Sequence, residues 1–204
     1  MKIYDITAPI YTGMPVWKNY PKKQPAISTE TNGHVTESRI SLDVHTGTHV
    51  DAPLHMINDG ETIETIGIEE LVRNIKVLDL TKAEGKISKQ DISSLNIEKD
   101  DFILLKTKNS FDKEFNVEFI YVAEDAAQFL VEKGISGVGI DSLGIERAQD
   151  GHPTHRTLMS NNIIIVEGLQ LEDIEAGEYF MVAAPLKIQG TDASPARILL
   201  MDKM

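Results

Sequence analysis

Residues 45–55 read HTGTHVDAPLH, so eleven positions hold three of the six histidines of the 204-residue chain together with an aspartate. Neutral imidazole and carboxylate are ligands for zinc, manganese or iron. The chain has no cysteine, which excludes disulfides, thiolate metal sites and cysteine nucleophiles. Without thiolates, a metal site with open coordination positions fits this stretch better than a closed structural one. A single histidine is more often a surface or hydrogen-bonding residue; His45, His49 and Asp51 together favour a metal. His34, alone in TNGHVTE, reads as a solvated loop residue.

A second concentration lies downstream in DGHPTHRTLMSNNIIIVEGL. His152 and His155 fall in a polar stretch with a proline that reads as a loop, and Glu167 closes the apolar run IIIV. A carboxylate there is costly unless it is paired, bound to metal, or turned to solvent. Other catalytic signatures are missing: there is no GxSxG, HExxH or P-loop, and the glycines of EKGISGVGID have the wrong spacing for a dinucleotide fingerprint. Gly137 and Gly139 read instead as positions of close strand packing.

The elements that must position these residues follow from periodicity. Leading into the stretch that begins at His45, RISLDVH alternates strictly, which predicts a strand with Ile40, Leu42 and Val44 facing a core and Ser41, Asp43 and His45 on the other face. His45 then ends that strand. His45 and His49 are four apart, but Thr46, Gly47, Thr48 and Pro53 oppose a helix, so a loop turning at Gly47 is expected to carry His49 and Asp51. Further strands are expected at IKVLDL (75–80), DFILLKT (101–107), SGVGID (136–141), NIIIVEG (162–168), EYFMVAA (178–184) and ARILLM (196–201). Several are apolar on both faces, as in a covered sheet. VAEDAAQFLVEKG sets Ala123, Ala126, Ala127 and Leu130 on one helical face, with acids in the first turn and Gly134 as C-terminal cap. Another helix is expected to start at Ser88, with Asp91 as its capping-box acid. The sum is a mixed α/β fold, and no linker or repeat divides residues 1–204, which predicts one domain.

Composition narrows the partners. Twenty basic against 32 acidic residues give a net charge of −12, which disfavours nucleic acid and anionic membrane surfaces. The start MKIYDITAPIYTG has neither the apolar run of a signal peptide nor that of a membrane span, so a cytoplasmic protein is expected.

The pattern HxGTHxDxPxH resembles the signature of the cyclase superfamily, whose best-known members are the bacterial kynurenine formamidases. The resemblance extends to Trp17 within GMPVW, to the separation of twelve between His155 and Glu167, and to APLKIQGTDASPARILL near the C-terminus. It implies a swivelling β/α/β domain, a homodimer or higher homo-oligomer, and two divalent metal ions, zinc first and manganese second. Carried over by position, His45, His49 and Asp51 hold one metal, Asp51 bridges, His155 and Glu167 hold the other, and His55 is the acid/base. Trp17 becomes a substrate-binding aromatic, and His152 matches no family position. The implied reaction is hydrolysis of a small-molecule amide, N-formylkynurenine first. Alternatives are another aryl or cyclic amide, or a noncatalytic metal-binding member. The chain departs from formamidases after Trp17, where KNYPKK replaces a Pro-Gly-Asp type turn.

Overall fold

The computed structural model describes residues 1–202. Its strands are β1 (Ile3–Asp5), β2 (Ala26–Asn32), β3 (Val35–Ser41), β4 (His49–Asp51), β5 (Val72–Asp79), β6 (Lys86–Ile87), β7 (Phe102–Lys106), β8 (Tyr121–Val122), β9 (Gly137–Ile140), β10 (Ile164–Glu167), β11 (Gly177–Pro185) and β12 (Ala193–Asp202). The helices are α1 (Ile68–Leu71), α2 (Lys89–Ile92), α3 (Glu124–Lys133) and α4 (Pro153–Met159). The strands expected from β-branched and aliphatic runs appear as β5, β7, β9, β10, β11 and β12.

The main sheet has the order β1-β12-β11-β5-β7-β9-β10-β4, and β4 pairs with β12 as well as with β10. That second pairing closes the sheet into a mixed barrel. The run β5-β7-β9-β10 is parallel, whereas β11, β12, β1 and β4 join antiparallel. Two apolar clusters lie on either side of the barrel wall: Val50, Val77, Phe102, Leu104, Val166, Met181 and Leu200 in one, Ile103, Leu105, Val138, Ile140 and Ile165 in the other. Alternation along each strand produces this division, so the strands apolar on both faces are covered on both, as their composition requires.

Helix α3 contributes Ala126, Ala127 and Leu130, all fully buried, to the second cluster and ends at Gly134, whose N–H bonds the carbonyls of Leu130 and Val131. The helix expected from Ser88 is a single turn; the Asp91 carboxylate accepts from the Ser88 N–H at 2.7 Å and its hydroxyl at 2.6 Å. The close packing expected at the glycines of β9 is present: a Cβ on Gly137 would fall 2.2 Å from Phe102, and one on Gly139 would fall 2.6 Å from Leu104.

One expectation fails. The strand predicted through RISLDVH ends at Ser41, and with β2 it forms a separate hairpin in which every residue is exposed. Ile40 is 56% exposed, and Leu42 and Val44 are only half-buried outside any strand. Alternation identifies a strand with two unlike faces, but it does not say what covers either face. His34 lies in the turn of this hairpin and is exposed, as expected.

Candidate metal centre

Strand β4 is short but pinned on both sides. Val166 and Val50 are paired, Glu167 stands opposite His49, and on the other edge Ala193 stands opposite Asp51. Because side chains alternate, Val50 enters the apolar core while His49 and Asp51 share the opposite face, and Glu167 joins them there. His49 and Asp51 were expected on a loop; the structure places them on this buried strand, because closure of the barrel supplies partners that local propensity does not reveal. His45 is correspondingly in the preceding turn rather than at a strand end. The Asp43 side chain accepts from the His45 N–H at 3.0 Å, and Gly47 takes the φ of +64° that reverses the chain.

His155 is also placed differently from expectation: it sits in helix α4, where Pro153 occupies the first turn, rather than in an open loop. His152 is the residue before that helix, with a left-handed φ of 48°. His55 ends a turn of 3-10 helix, Pro53–His55, just beyond β4.

These elements bring His45, His49, Asp51, His55, His155 and Glu167 to one centre. His45 Nδ1 is 3.1 Å and His49 Nε2 is 3.4 Å from Asp51 Oδ1, and His155 Nε2 is 3.7 Å from Asp51 Oδ2. Glu167 spans the same gap, with Oε2 at 3.3 Å from His49 Nε2 and Oε1 at 3.1 Å from His155 Nε2. His49 Nδ1 lies 2.9 Å from the Gly47 carbonyl, so its proton belongs on Nδ1 and a lone pair faces the carboxylates when the ring is neutral. His55 is adjacent, its ring 4.2 Å from that of His45 and 5.5 Å from that of His155.

The donor set fits divalent metal. His49 Nε2 and both oxygens of Asp51 are buried and make no well-aligned hydrogen bond among the described residues; what faces the Asp51 oxygens is imidazole nitrogen at 3.1–3.7 Å. A buried carboxylate without such bonds is costly in a folded protein unless a cation satisfies it. His49, Asp51 and Glu167 form one group of suitable donors, and His45, Asp51 and His55 another.

Without an ion the same groups polarise one another. Burial opposes a charge on His49, but the Asp51 and Glu167 carboxylates outweigh it and raise its pKa to about 10. Burial is likewise overcome at His155, which Glu146 and Glu167 also raise to about 10. Burial and the neighbouring Asp51 charge push Glu167 upward, but His155 and His49 dominate and hold it at about 2. His55 differs: burial lowers its pKa, leaving it neutral at physiological pH.

Two carboxylates stand outside the expected set. Glu146 is buried and accepts from His152 Nδ1 at 2.8 Å and from the Thr154 N–H at 2.8 Å, while its Oε1 lies 3.0 Å from His155 Nδ1. Asp192, the residue before β12, reaches His45 and His55. Neither stands within a histidine-rich segment, so no local signal marks them; GTDASP was visible only as part of the C-terminal resemblance.

A cavity of about 320 Å³ opens over the centre. His45, His55, His152, His155 and Glu167 form its polar side, and Val16, Trp17, Met56 and Leu143 its apolar side. Trp17 packs edge-on against Phe115 and Phe119, each at 5.8 Å.

The sequence matches the family described as "Putative cyclase" over residues 4–147, more than half of the chain. The chain belongs to the cyclase family. Among curated relatives, the kynurenine formamidase of Bacillus cereus (strain ATCC 14579) is 30% identical over 203 residues, covering 96% of this chain and 95% of that one. A solved structure of a potential metal-dependent hydrolase with cyclase activity is 60% identical, with a TM-score of 0.95 over 100% of this chain and 98% of the other. Isatin hydrolase A from Labrenzia aggregata shares the fold at 23% identity, with a TM-score of 0.84 over 100% of this chain and 94% of the other. This member of the family therefore has its His/Asp/Glu cluster at the floor of a cavity on a fold found in metal-dependent hydrolases.

Proposed function

We propose that the protein is a metal-dependent amide hydrolase that cleaves a small aryl formamide, with N-formylkynurenine the first candidate substrate. The observation that carries this reading is Asp51: buried, faced only by ligand-type imidazole nitrogens without a well-aligned hydrogen bond, and positioned between the His45/His49 pair and the His155/Glu167 pair. In this reading His45, His49 and Asp51 hold one divalent ion, and Asp51, His155 and Glu167 hold a second, zinc or manganese. Such ions supply Lewis acidity toward a carbonyl and lower the pKa of water to about 7.

The chain's own residues perform the rest. Trp17 and the apolar wall present a face to a flat substrate, and His55 lies on the polar side of the same cavity. A neutral His55 takes a proton from the attacking water as the new C–O bond forms, then returns it to the departing nitrogen as the C–N bond breaks. The products are an amine and a carboxylic acid, formate in the case of a formamide. A second reading is opening of a cyclic amide, which uses the same proton transfers; the 60% identical structure is described as a potential metal-dependent hydrolase with cyclase activity.

We read the chain as one hydrolase domain, because the barrel takes strands from Ile3 through Asp202, and its layering as the swivelling β/α/β type that the family implies. The β2–β3 hairpin supports a homodimer or higher homo-oligomer, since a two-stranded ribbon exposed along its whole length is only marginally stable alone. No helix among the described residues is long and apolar enough to cross a membrane. We place the enzyme in the cytoplasm, and its net charge of −12 argues against nucleic-acid and anionic membrane partners.

The test is an assay of zinc- and manganese-loaded protein with N-formylkynurenine, following release of kynurenine and formate. Turnover abolished by chelation supports the assignment. Opening of a cyclic amide without formamide turnover replaces the substrate but keeps the mechanism, and no turnover of either class refutes the hydrolase reading.

A further inference from the structure

Asp192 lies far from the histidine-rich segments in sequence, yet a single oxygen of its carboxylate meets two imidazoles. Oδ2 is 2.9 Å from His45 Nε2 and 3.2 Å from His55 Nδ1, both within hydrogen-bond geometry. Its backbone is held by the contact that closes the barrel. The Ala52 N–H donates to the Asp192 carbonyl at 2.9 Å, the neighbouring Thr191 carbonyl accepts from Ile63 N–H at 3.0 Å, and Ala193 stands in register with Asp51. The carboxylate is thus fixed relative to Asp51 by strand pairing at Ala193 and by the hydrogen bond from the Ile63 turn to Thr191 on the other side.

An imidazole whose Nδ1 faces a carboxylate keeps its proton on that nitrogen, which leaves the lone pair on Nε2. His45 has the reciprocal arrangement, with Nε2 toward Asp192 and Nδ1 at 3.1 Å from Asp51. One oxygen therefore orients an imidazole of the metal-binding set and the imidazole proposed as acid/base, and it gives the second the tautomer a proton shuttle needs.

We propose that Asp192 is a positioning residue for amide cleavage: it holds His55 as the Nδ1–H tautomer, so that Nε2 receives the proton of water and delivers it to the leaving nitrogen, while Asp192 itself stays ionised. This rests on the hydrolase reading above, since it assigns Asp192 to the same reaction. Carboxylates that orient ligand or catalytic imidazoles typically change activity or metal affinity by about 10- to 100-fold when removed. An orienter of an acid also affects substrates unequally. An aryl amide needs its leaving nitrogen protonated, whereas a phenyl ester releases a phenolate that needs no proton in the cleavage step.

The experiment compares wild type, Asp192→Ala, Asp192→Asn, His55→Ala and the double variant Asp192→Ala/His55→Ala. Each is brought to full zinc occupancy by elemental analysis and assayed on N-formylaniline and phenyl formate. The expected result for Asp192→Ala is a fall in kcat of about 10- to 100-fold on the amide, with little change in KM and a smaller fall on the ester, which still uses His55 for the water's proton but not for its leaving group. The double variant should be no slower than His55→Ala, because the effect runs through His55. Asp192→Asn, close in shape, covers the case in which the alanine variant fails to fold, and should show the same amide-selective loss. Independently of activity, histidine nitrogen NMR of the zinc-loaded wild type should show His55 as the Nδ1–H tautomer and both Asp192 variants should depart from it. Wild-type kcat in Asp192→Ala at full occupancy, an additive double variant, or an Nε2–H tautomer in the wild type would each overturn the proposal. A variant that loses only zinc affinity would also overturn it, by confining Asp192 to His45. If the wild type hydrolyses neither substrate, the formamidase assignment fails, and the tautomer measurement alone decides whether Asp192 sets the state of His55.

Discussion

Loading the metal-free protein with zinc at pH 7 should release at least about two protons per chain, because ligand imidazoles must be neutral and two of them begin charged. His49 and His155 are each raised from 6.5 to about 10 by the carboxylates around them. Three units below such a pKa, only about one ring in a thousand is neutral. The metal-free centre is therefore held by imidazolium–carboxylate pairs, His49 with Asp51 and Glu167, and His155 with Glu167. Metal replaces those protons as the charge that satisfies the carboxylates. His45, also raised, adds to the count, and ionisation of bound water would add again. Isothermal titration calorimetry of zinc into metal-free protein, in several pH 7 buffers of different ionisation enthalpy, gives the number as the slope of observed enthalpy against buffer enthalpy. Glu167→Gln should lower the slope by removing a charge that faces both rings. A slope near zero accompanying tight binding would refute the reasoning, since the histidines would then be neutral before the metal arrives.

The same pairs set a pH window for the metal-free protein. The His49 and His155 contributions are fully present below 6.5 and are lost as pH rises through about 10, while that of Glu167 is present above 4.5 and lost as pH falls through about 2. Thermal unfolding in chelator should accordingly peak between 4.5 and 6.5; a melting temperature that climbs from pH 6.5 to 10 would contradict this. His55→Ala should retain metal by elemental analysis but lower turnover by about 10²- to 10⁴-fold, and loss of metal with normal turnover of the remaining holoenzyme would make His55 a ligand instead. Gly168→Ala should destabilise the fold by more than ~1–2 kcal/mol, since Gly168 has a φ of +70° and an added Cβ would fall 2.3 Å from the Gly47 carbonyl oxygen that His49 Nδ1 faces. Denaturant titration reads that loss, and an alanine variant of unchanged midpoint would show that the Gly47 turn yields freely.

Elements whose cause is local could be read along the chain. The alanine face of α3 and its glycine stop were legible, because helical period and capping depend on near neighbours. The strands β5, β7, β9, β10, β11 and β12 were legible as apolar, β-branched runs. His45, His49 and Asp51 were legible as a donor cluster, because ligand type is a property of the side chain. The tertiary structure decided where those donors stand. HVD became a buried strand only because β10 pairs one edge and β12 the other, and that pairing faces Glu167 to His49 and brings Ala193 beside Asp51. The alternation of RISLDVH gave no sign that β3 would project with Ile40 in solvent, since burial of a face depends on what packs against it. Glu146 and Asp192 carried no metal-binding pattern of their own. Asp192 meets His45 across 147 positions of sequence because the barrel closes between them, and register between distant strands depends on the packing of the whole wall rather than on any one segment.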